Sequence, residues 1–293
     1  MYHRLLRNTT SGISRSGLRC LCGISSGSSA ETRVLDITRL DGDLNGVVKL
    51  EMNSPKANAL GFRLLSELED AVGEISADES IRAVVLSSAV PGVFCAGADL
   101  KERATMSHEE TELFVSRLRS LMSQVASIPA PTIAAVEGAA FGGGLELILA
   151  CDLRVVGELA MMALTETSLG IIPGAGGTQR LPRLIGASKA KELIFTARRL
   201  GAARALELGM VNTVVGAGQA EKEALSTAGE IATRGPLAVR AAKLAINEGL
   251  SLADAERGMG VERRMYARVL GTQDRDEGLA AFKDRRPPVF TGK

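Results

Sequence analysis

Apolar positions recur along the chain with two periods. Runs of five to nine apolar residues bounded by turn-forming residues predict buried strands, and apolar residues three and four apart predict helices. "TRVLDITRL" (32–40) and "GVVKLEMN" (46–53) flank "DGDLN" and read as a hairpin. "ALGFRLLSELEDAVGEIS" (59–76) sets Leu64, Leu65, Leu68 and Val72 on one helical side. "IRAVVLSSA" (81–89) and "PTIAAVEG" (131–138) read as buried strands. Between them, "SHEETELFVSRLRSLMSQVASIP" (107–129) predicts a long helix, with Ser107 as N-cap, Glu110 as its capping-box partner and Pro129 beyond its end. "LRVVG" (153–157) and "AMMAL" (160–164) are strand-like. From about residue 177 helical periodicity dominates, in runs over 187–197, 202–209, 219–234, 236–250 and 252–270. Strand–helix alternation followed by helices predicts an α/β core with a helical C-terminal part.

Composition changes the picture at the N-terminus. Residues 1–30 hold four arginines, many serines and no acidic residue, the composition of a mitochondrial transit peptide. Without those four arginines, the chain's 35 basic and 34 acidic residues become 31 against 34, a net of −3. A mature chain with that balance carries no general attraction for nucleic acid. No run of about 18 uncharged apolar residues occurs, so no membrane span is expected. Cysteines at 20, 22, 95 and 151 do not form a disulfide framework, and Cys95 and Cys151 read as buried thiols.

The residue inventory excludes several chemistries. The two histidines are His3, in the transit-like segment, and His108, at the start of a solvated helix. A Ser-His or Cys-His mechanism and a Cys/His zinc site both lack their histidines. "GISSG" (23–27) fits the G-x-S-x-G pattern but lies in the transit-like segment without a strand before it. No P-loop is present, and "PGAGG" (173–177) lacks the dinucleotide register. Carboxylates and backbone amides remain. Two carboxylates stand in apolar or glycine-rich surroundings: Glu146 in "GGGLELIL" and Glu166 in "MMALTETSLGIIPGAGG". An unpartnered buried carboxylate is costly, so such a group finds partners, shifts its pKa or does chemistry.

Five ordered segments carry a resemblance: "GVFCAGADLKE" (92–102), "PTIAAVEGAAFGGGLELILACDLRV" (131–155), "TETSLGIIPGAGGTQRLPRLIG" (165–186), "AKELIFTARRL" (190–200) and "TQDRDEGLAAFKDRRPP" (272–288). Together they resemble the enoyl-CoA hydratase/isomerase (crotonase) family from about Val34 to Lys293. The resemblance implies an α/β spiral of β-β-α turns with a helical C-terminal region. It divides the chain into a transit peptide (1–30), a spiral core (31–215) and a helical trimerisation region (216–293). It further implies an acyl-CoA substrate, no separate cofactor because coenzyme A belongs to the substrate, a homotrimer or homohexamer, and residence in the mitochondrial matrix.

By the same resemblance, the backbone N–H groups of Ala98 and Gly143 form an oxyanion hole for the thioester oxygen. Glu146 activates a water for addition at Cβ, and Glu166 delivers a proton to Cα. Substrate binding maps to Ala96, Ala98, Asp99, Leu100, Lys101, Gly143 and Gly174, with Phe282 and Lys283 as a C-terminal pair against CoA. The implied reaction is hydration of 2-enoyl-CoA. The alternatives are isomerisation or decarboxylation on the same enolate, or non-catalytic binding of acyl-CoA or RNA. Two departures stand out. "EMNSPKANAL" (51–60) has Ser54 where the family pattern has Arg, and its loop is one residue shorter, which weakens CoA contacts near Lys56 and Ala57. Family members that bind AU-rich RNA use a lysine-rich helix after this loop. Here residues 61–80 hold one Arg, no Lys and six acids, so RNA binding is not expected.

Overall fold

The computed structural model describes residues 33–293 apart from Ala253, and leaves the Lys56 side chain undescribed. The transit-peptide expectation for residues 1–30 lies outside the described residues.

Among the described residues, ten strands form two sheets. The larger has the order β1-β2-β3-β5-β7-β10. Its strands are β1 (Leu35–Arg39), β2 (Val47–Met52), β3 (Ala83–Ser88), β5 (Thr132–Val136), β7 (Leu153–Gly157) and β10 (Thr213–Val215). β1 and β2 are the expected antiparallel hairpin; every later pairing in this sheet is parallel. Parallel strands buried on both faces read as continuous apolar runs, and β3 and β5 do so. The smaller sheet, β4-β6-β8-β9, is built from β4 (Val93–Cys95), β6 (Ala139–Phe141), β8 (Met161–Ala163) and β9 (Leu200–Gly201). β4, β6 and β8 run parallel.

Period-2 alternation sends the large sheet's side chains into two cores. Val84, Leu86, Ala134 and Val136 enter one, against helices that follow the strands. Those helices are α2 (Phe62–Ala77), α4 (His108–Ser127), α5 (Gly143–Ala150), α6 (Gly177–Ile185), α7 (Ala187–Thr196) and α8 (Ala202–Glu207), while the short helices α1 (Pro55–Asn58) and α3 (Leu100–Arg103) give that core no residue. Ala83, Val85, Ile133, Ala135 and Val155 enter the other. There they meet Ala220, Ala224, Ala228 and Ala232 of α9 (Ala220–Ala232). Alanine every fourth residue gives this helix a smooth stripe that lies close to the sheet. The core therefore extends past residue 215, and the 216–293 segment divides between α9 and three later helices. These are α10 (Pro236–Ser251), α11 (Ala255–Val269) and α12 (Gln273–Asp284). None of the described helices is long and apolar enough to cross a membrane.

Local signals hold where the sequence carries them. Ser107 accepts the Glu110 N–H at 3.2 Å, and the Glu110 carboxylate accepts the Ser107 N–H at 2.7 Å, so both halves of the capping box form at α4. The acidic residues of α2 have structural tasks: Glu67 accepts the Val34 and Leu35 N–H groups at 3.0 Å, and Glu69 pairs with Arg117 of α4 at 2.6 Å. Lys243 of α10 pins that helix to the sheet by donating to Asp152 at 2.6 Å and to the Ala130 carbonyl at 3.1 Å. Cys95 and Cys151 are buried free thiols, and burial pushes each up to about 12.

Candidate active site

The C-terminal ends of β4, β6 and β8 converge on one place. Beyond β4, Leu60 donates to the Gly97 carbonyl at 2.8 Å, and Asp99 donates to the Leu60 carbonyl at 3.3 Å. This parallel bridge uses the groups on either side of Ala98, so the Ala98 N–H faces away from Leu60. Asp99 then caps α3, accepting the Lys101 and Glu102 N–H groups at 2.8 and 3.3 Å.

Gly97 must be glycine. Its φ is +91°, and a Cβ there would stand 2.7 Å from the Phe141 carbonyl oxygen and 3.2 Å from the Gly143 nitrogen. The β4 end thus lies directly against the β6 end. Gly142 bridges β6 to α5 with φ +51°, and its N–H donates to the Ala163 carbonyl of β8 at 2.8 Å. Glu146 donates the first helical bond, to Gly142 at 3.0 Å. The N–H groups of Gly143, Gly144 and Leu145 consequently have no intrahelical acceptor. A Cβ on Gly144 would stand 2.2 Å from the Cys95 carbonyl oxygen, whereas one on Gly143 would stand 3.7 Å from the Ala98 nitrogen. Glycine 144 packs the helix onto β4; glycine 143 keeps open the space beside the Ala98 amide. The Ala98 nitrogen and the positive N-terminal end of α5 both lie beside that space.

Glu146 is 3% exposed, one α-helical turn into α5. Its Oε1 accepts the Ala175 N–H at 2.8 Å and the Gly177 N–H at 2.7 Å. The "PGAGG" stretch, which fits no dinucleotide loop, therefore serves as an amide cradle for a carboxylate. Burial raises the Glu146 pKa above the usual carboxylate value, and the two N–H groups, Arg180 and Arg119 only partly offset that rise. Arg180 also donates to the Ala175 carbonyl at 3.0 Å.

Glu166 opens a short 3-10 helix after β8. Its Oε2 is buried without a hydrogen-bond partner among the described residues. Burial pushes its pKa up to about 7; its own backbone N–H opposes this, Glu146 adds to it, and Arg103 opposes it. The two carboxylates thus differ in kind. Glu146 has two amide donors that partly offset the effect of its burial, whereas Glu166 has no donor on Oε2 among the described residues and is pushed up to about 7.

A cavity of about 1180 Å³ takes in both glutamates. Of the residues anticipated at the site, Ala96, Ala98, Leu100, Gly143, Glu146, Glu166 and Gly174 line it together. Asp99 and Lys101 do not line it: Asp99 is occupied as the α3 cap, and Lys101 is exposed on that helix. Phe282 and Lys283 lie on α12 and do not line it either; Phe282 is 86% exposed. Ala57 of the altered loop contributes its carbonyl to the Ala96 N–H at 3.0 Å, which ties that loop to the β4 end. Four arginines that sequence reasoning passed over, Arg103, Arg119, Arg180 and Arg183, also line the cavity. Arg180 had a signal: it follows a glycine run with no assigned ligand.

Comparison with known proteins bears on the family and the fold. The Enoyl-CoA hydratase/isomerase family matches residues 42–293. The chain is 50% identical over 274 residues to mouse (Mus musculus) mitochondrial enoyl-CoA hydratase domain-containing protein 2, covering 92% of each. It is 46% identical over 275 residues to human (Homo sapiens) mitochondrial methylglutaconyl-CoA hydratase, covering 91% of this chain and 81% of the relative. The solved structure of enoyl-CoA hydratase from Bacillus anthracis superposes with a TM-score of 0.86 at 46% identity, covering 89% of this chain and 100% of that one. A family match over most of the chain, these identities and a shared fold lead to one conclusion: the chain belongs to the enoyl-CoA hydratase/isomerase family.

Proposed function

We propose that the protein hydrates 2-enoyl-CoA thioesters to 3-hydroxyacyl-CoA, with Glu146 as base and Glu166 as acid. It is an enzyme of the enoyl-CoA hydratase type, a hydro-lyase. The observation that carries this reading is the unequal treatment of two buried carboxylates at one cavity. The amide-held Glu146 is suited to accept a proton, and Glu166, whose Oε2 has no partner among the described residues, to give one.

In the forward step a water oxygen bonds to Cβ while Glu146 takes one of its protons. The alkene pair moves toward the thioester oxygen, where the Ala98 and Gly143 N–H groups receive the negative charge. Preorganised donors at such a site are each worth about 3 kcal/mol of barrier. Glu166 then gives its proton to Cα, the carbonyl reforms, and solvent returns the proton from Glu146 to Glu166. Atoms and charge balance without a cofactor; coenzyme A enters and leaves as part of the substrate. Having both carboxylates favours hydration over isomerisation, which needs no activated water.

Relatives with mitochondrial names, together with the arginine- and serine-rich residues 1–30, support import into the mitochondrial matrix. Exposed Leu244, Ile246 and Leu250 on α10 and Met259 and Tyr266 on α11 support burial of these helices in a homotrimer or homohexamer. The direct test follows loss of the conjugated thioester absorbance with crotonyl-CoA. Turnover that disappears in Glu166→Gln supports the assignment; an inert wild type, or full activity in that variant, overturns it.

A further inference from the structure

The four cavity arginines are not equivalent. Arg119 donates to the Gly174 carbonyl at 3.0 Å, Arg180 to the Ala175 carbonyl at 3.0 Å and Arg183 to the Gln179 carbonyl at 2.6 Å. Their guanidinium groups hold the walls. Arg103 is half-buried and has no side-chain hydrogen bond or ion pair among the described residues. An arginine half-buried in a cavity wall with no carboxylate beside it is available to pair with an anion.

We propose that Arg103 pairs with a carboxylate at the distal end of the acyl group, so that carboxylated 2-enoyl-CoA thioesters are preferred over neutral ones of equal length. The proposal rests on the hydratase reading above and names its substrate class.

Position supports it. Arg103 closes the first turn of α3, its N–H bonded to the Asp99 carbonyl at 3.0 Å, so its backbone is fixed one turn from the Ala98 amide. Arg103 and Glu166 line the same cavity, near enough for the arginine charge to lower the Glu166 pKa. The phosphates of coenzyme A are separated from the thioester by the whole pantetheine arm. Leu100, Leu118 and Leu169 line the same cavity, so a hydrocarbon chain has apolar contacts there and its terminal anion has one unpaired guanidinium. Arg and carboxylate form two parallel, charge-assisted hydrogen bonds, a geometry lysine does not reproduce. Arg103 is also not spent on Glu166, whose Oε2 stays without a partner. A direct pair between them would hold Glu166 ionised and remove the acid.

The test compares trans-glutaconyl-CoA, which ends in a carboxylate, with trans-2-pentenoyl-CoA, of the same length and neutral. In the wild type the expected kcat/KM ratio favours glutaconyl-CoA. Arg103→Met lowers that ratio about 100-fold, chiefly through KM, and Arg103→Lys restores part of it. A ratio unchanged by Arg103→Met overturns the proposal. So does an equal loss on both substrates accompanied by weaker inhibition by free coenzyme A, which would assign Arg103 to a phosphate. If the wild type hydrates neither substrate, the hydratase reading fails, and the ratio of dissociation constants for the two thioesters decides the Arg103 proposal by the same criteria.

Discussion

Glu146 and Arg180 hold one residue from opposite sides: Glu146 Oε1 accepts the Ala175 N–H at 2.8 Å, and Arg180 Nη1 donates to the Ala175 carbonyl at 3.0 Å. The glycine-rich turn that carries Ala175 is therefore part of the site's electrostatics as well as its wall. Gly176 makes this possible, because a Cβ there would stand 2.0 Å from Arg180 Nη1.

The two roles of Glu146, holding the turn and taking a proton, separate by substitution. Glu146→Gln keeps a carbonyl oxygen for the Ala175 and Gly177 N–H groups but removes the base. Its kcat is expected to fall by about 10²–10⁴ with the unfolding midpoint nearly unchanged. Glu146→Ala leaves two buried N–H groups without an acceptor and is expected to lose a further 1–3 kcal/mol of stability, roughly, for each. Steady-state kinetics and urea denaturation on the two variants check this.

Adjacent glycines are expected to fail differently. Gly144→Ala drives a Cβ to 2.2 Å from the Cys95 carbonyl oxygen, so backbone must move. Stability falls by about 3 kcal/mol or the protein does not accumulate. In Gly143→Ala the nearest atom is Leu60 Cδ1 at 3.1 Å, the end of a flexible side chain, and the fold is retained. Its new methyl fills the space beside the Ala98 N–H, and kcat drops by about 10²–10³. Soluble yield and circular dichroism separate the two before any assay is run.

Glu166 sets a pH dependence of activity. With a pKa near 7, it is protonated below that pH and loses its proton above it. The kcat/KM for an enoyl-CoA is expected to fall as pH rises through about 7. Whatever residual rate Glu166→Gln retains lacks that limb. A pH–rate profile over the neutral range reads both.

The same group contributes to stability with a defined sign. Its folded pKa is raised from 4.5 to about 7, so the folded state binds its proton more tightly than the unfolded chain. The contribution is complete below 4.5 and is lost as pH rises through about 7. Its size is on the order of 3 kcal/mol. Thermal midpoints of wild type and Glu166→Gln are expected to diverge across that window.

Lys243 tests how α10 is attached. Its side chain is 9% exposed and pairs with Asp152, which also accepts the Thr132 N–H and hydroxyl. Lys243→Met leaves Asp152 with a half-satisfied charge and is expected to cost about 2–3 kcal/mol. Lys243→Arg costs less. Because Asn247, one turn further along α10, lines the active cavity, the same variant is expected to raise KM. Chemical denaturation and substrate titration measure the two effects.

Features written in a single stretch of chain were legible beforehand. The capping box at Ser107 and Glu110, the apolar side of α2 and the β1–β2 hairpin each depend on neighbours a few residues apart. β4, β6 and β9 leave no trace in the sequence, because two or three residues carry no measurable period. α6 was hidden by its internal Pro182. At the site, Glu146 announced itself as a carboxylate inside an apolar run. Its partners did not, since the Ala175 and Gly177 N–H groups come from about thirty residues away and backbone amides leave no mark in a sequence. Arg103 was invisible for the opposite reason. What distinguishes it is the absence of a partner in three dimensions, and nothing in "LKER" separates it from Lys101 on the same short helix.

The three parallel strands of the small sheet have a consequence for divergence within the family. Their ends supply the Ala98 amide, the Gly143 amide with Glu146, and Glu166. Hydrogen-bonded neighbours stand about 4.8 Å apart, and one residue added to a strand advances its end by about 3.3 Å. The reacting groups are thus stationed at the pitch of a β-ladder, and lengthening any one strand would throw its group out of line with the others. Arg103, Val115 and Asn247 face them from α3, α4 and α10, whose side chains can be exchanged without touching the ladder. New acyl preferences can arise on those helices while the chemistry stays where it is.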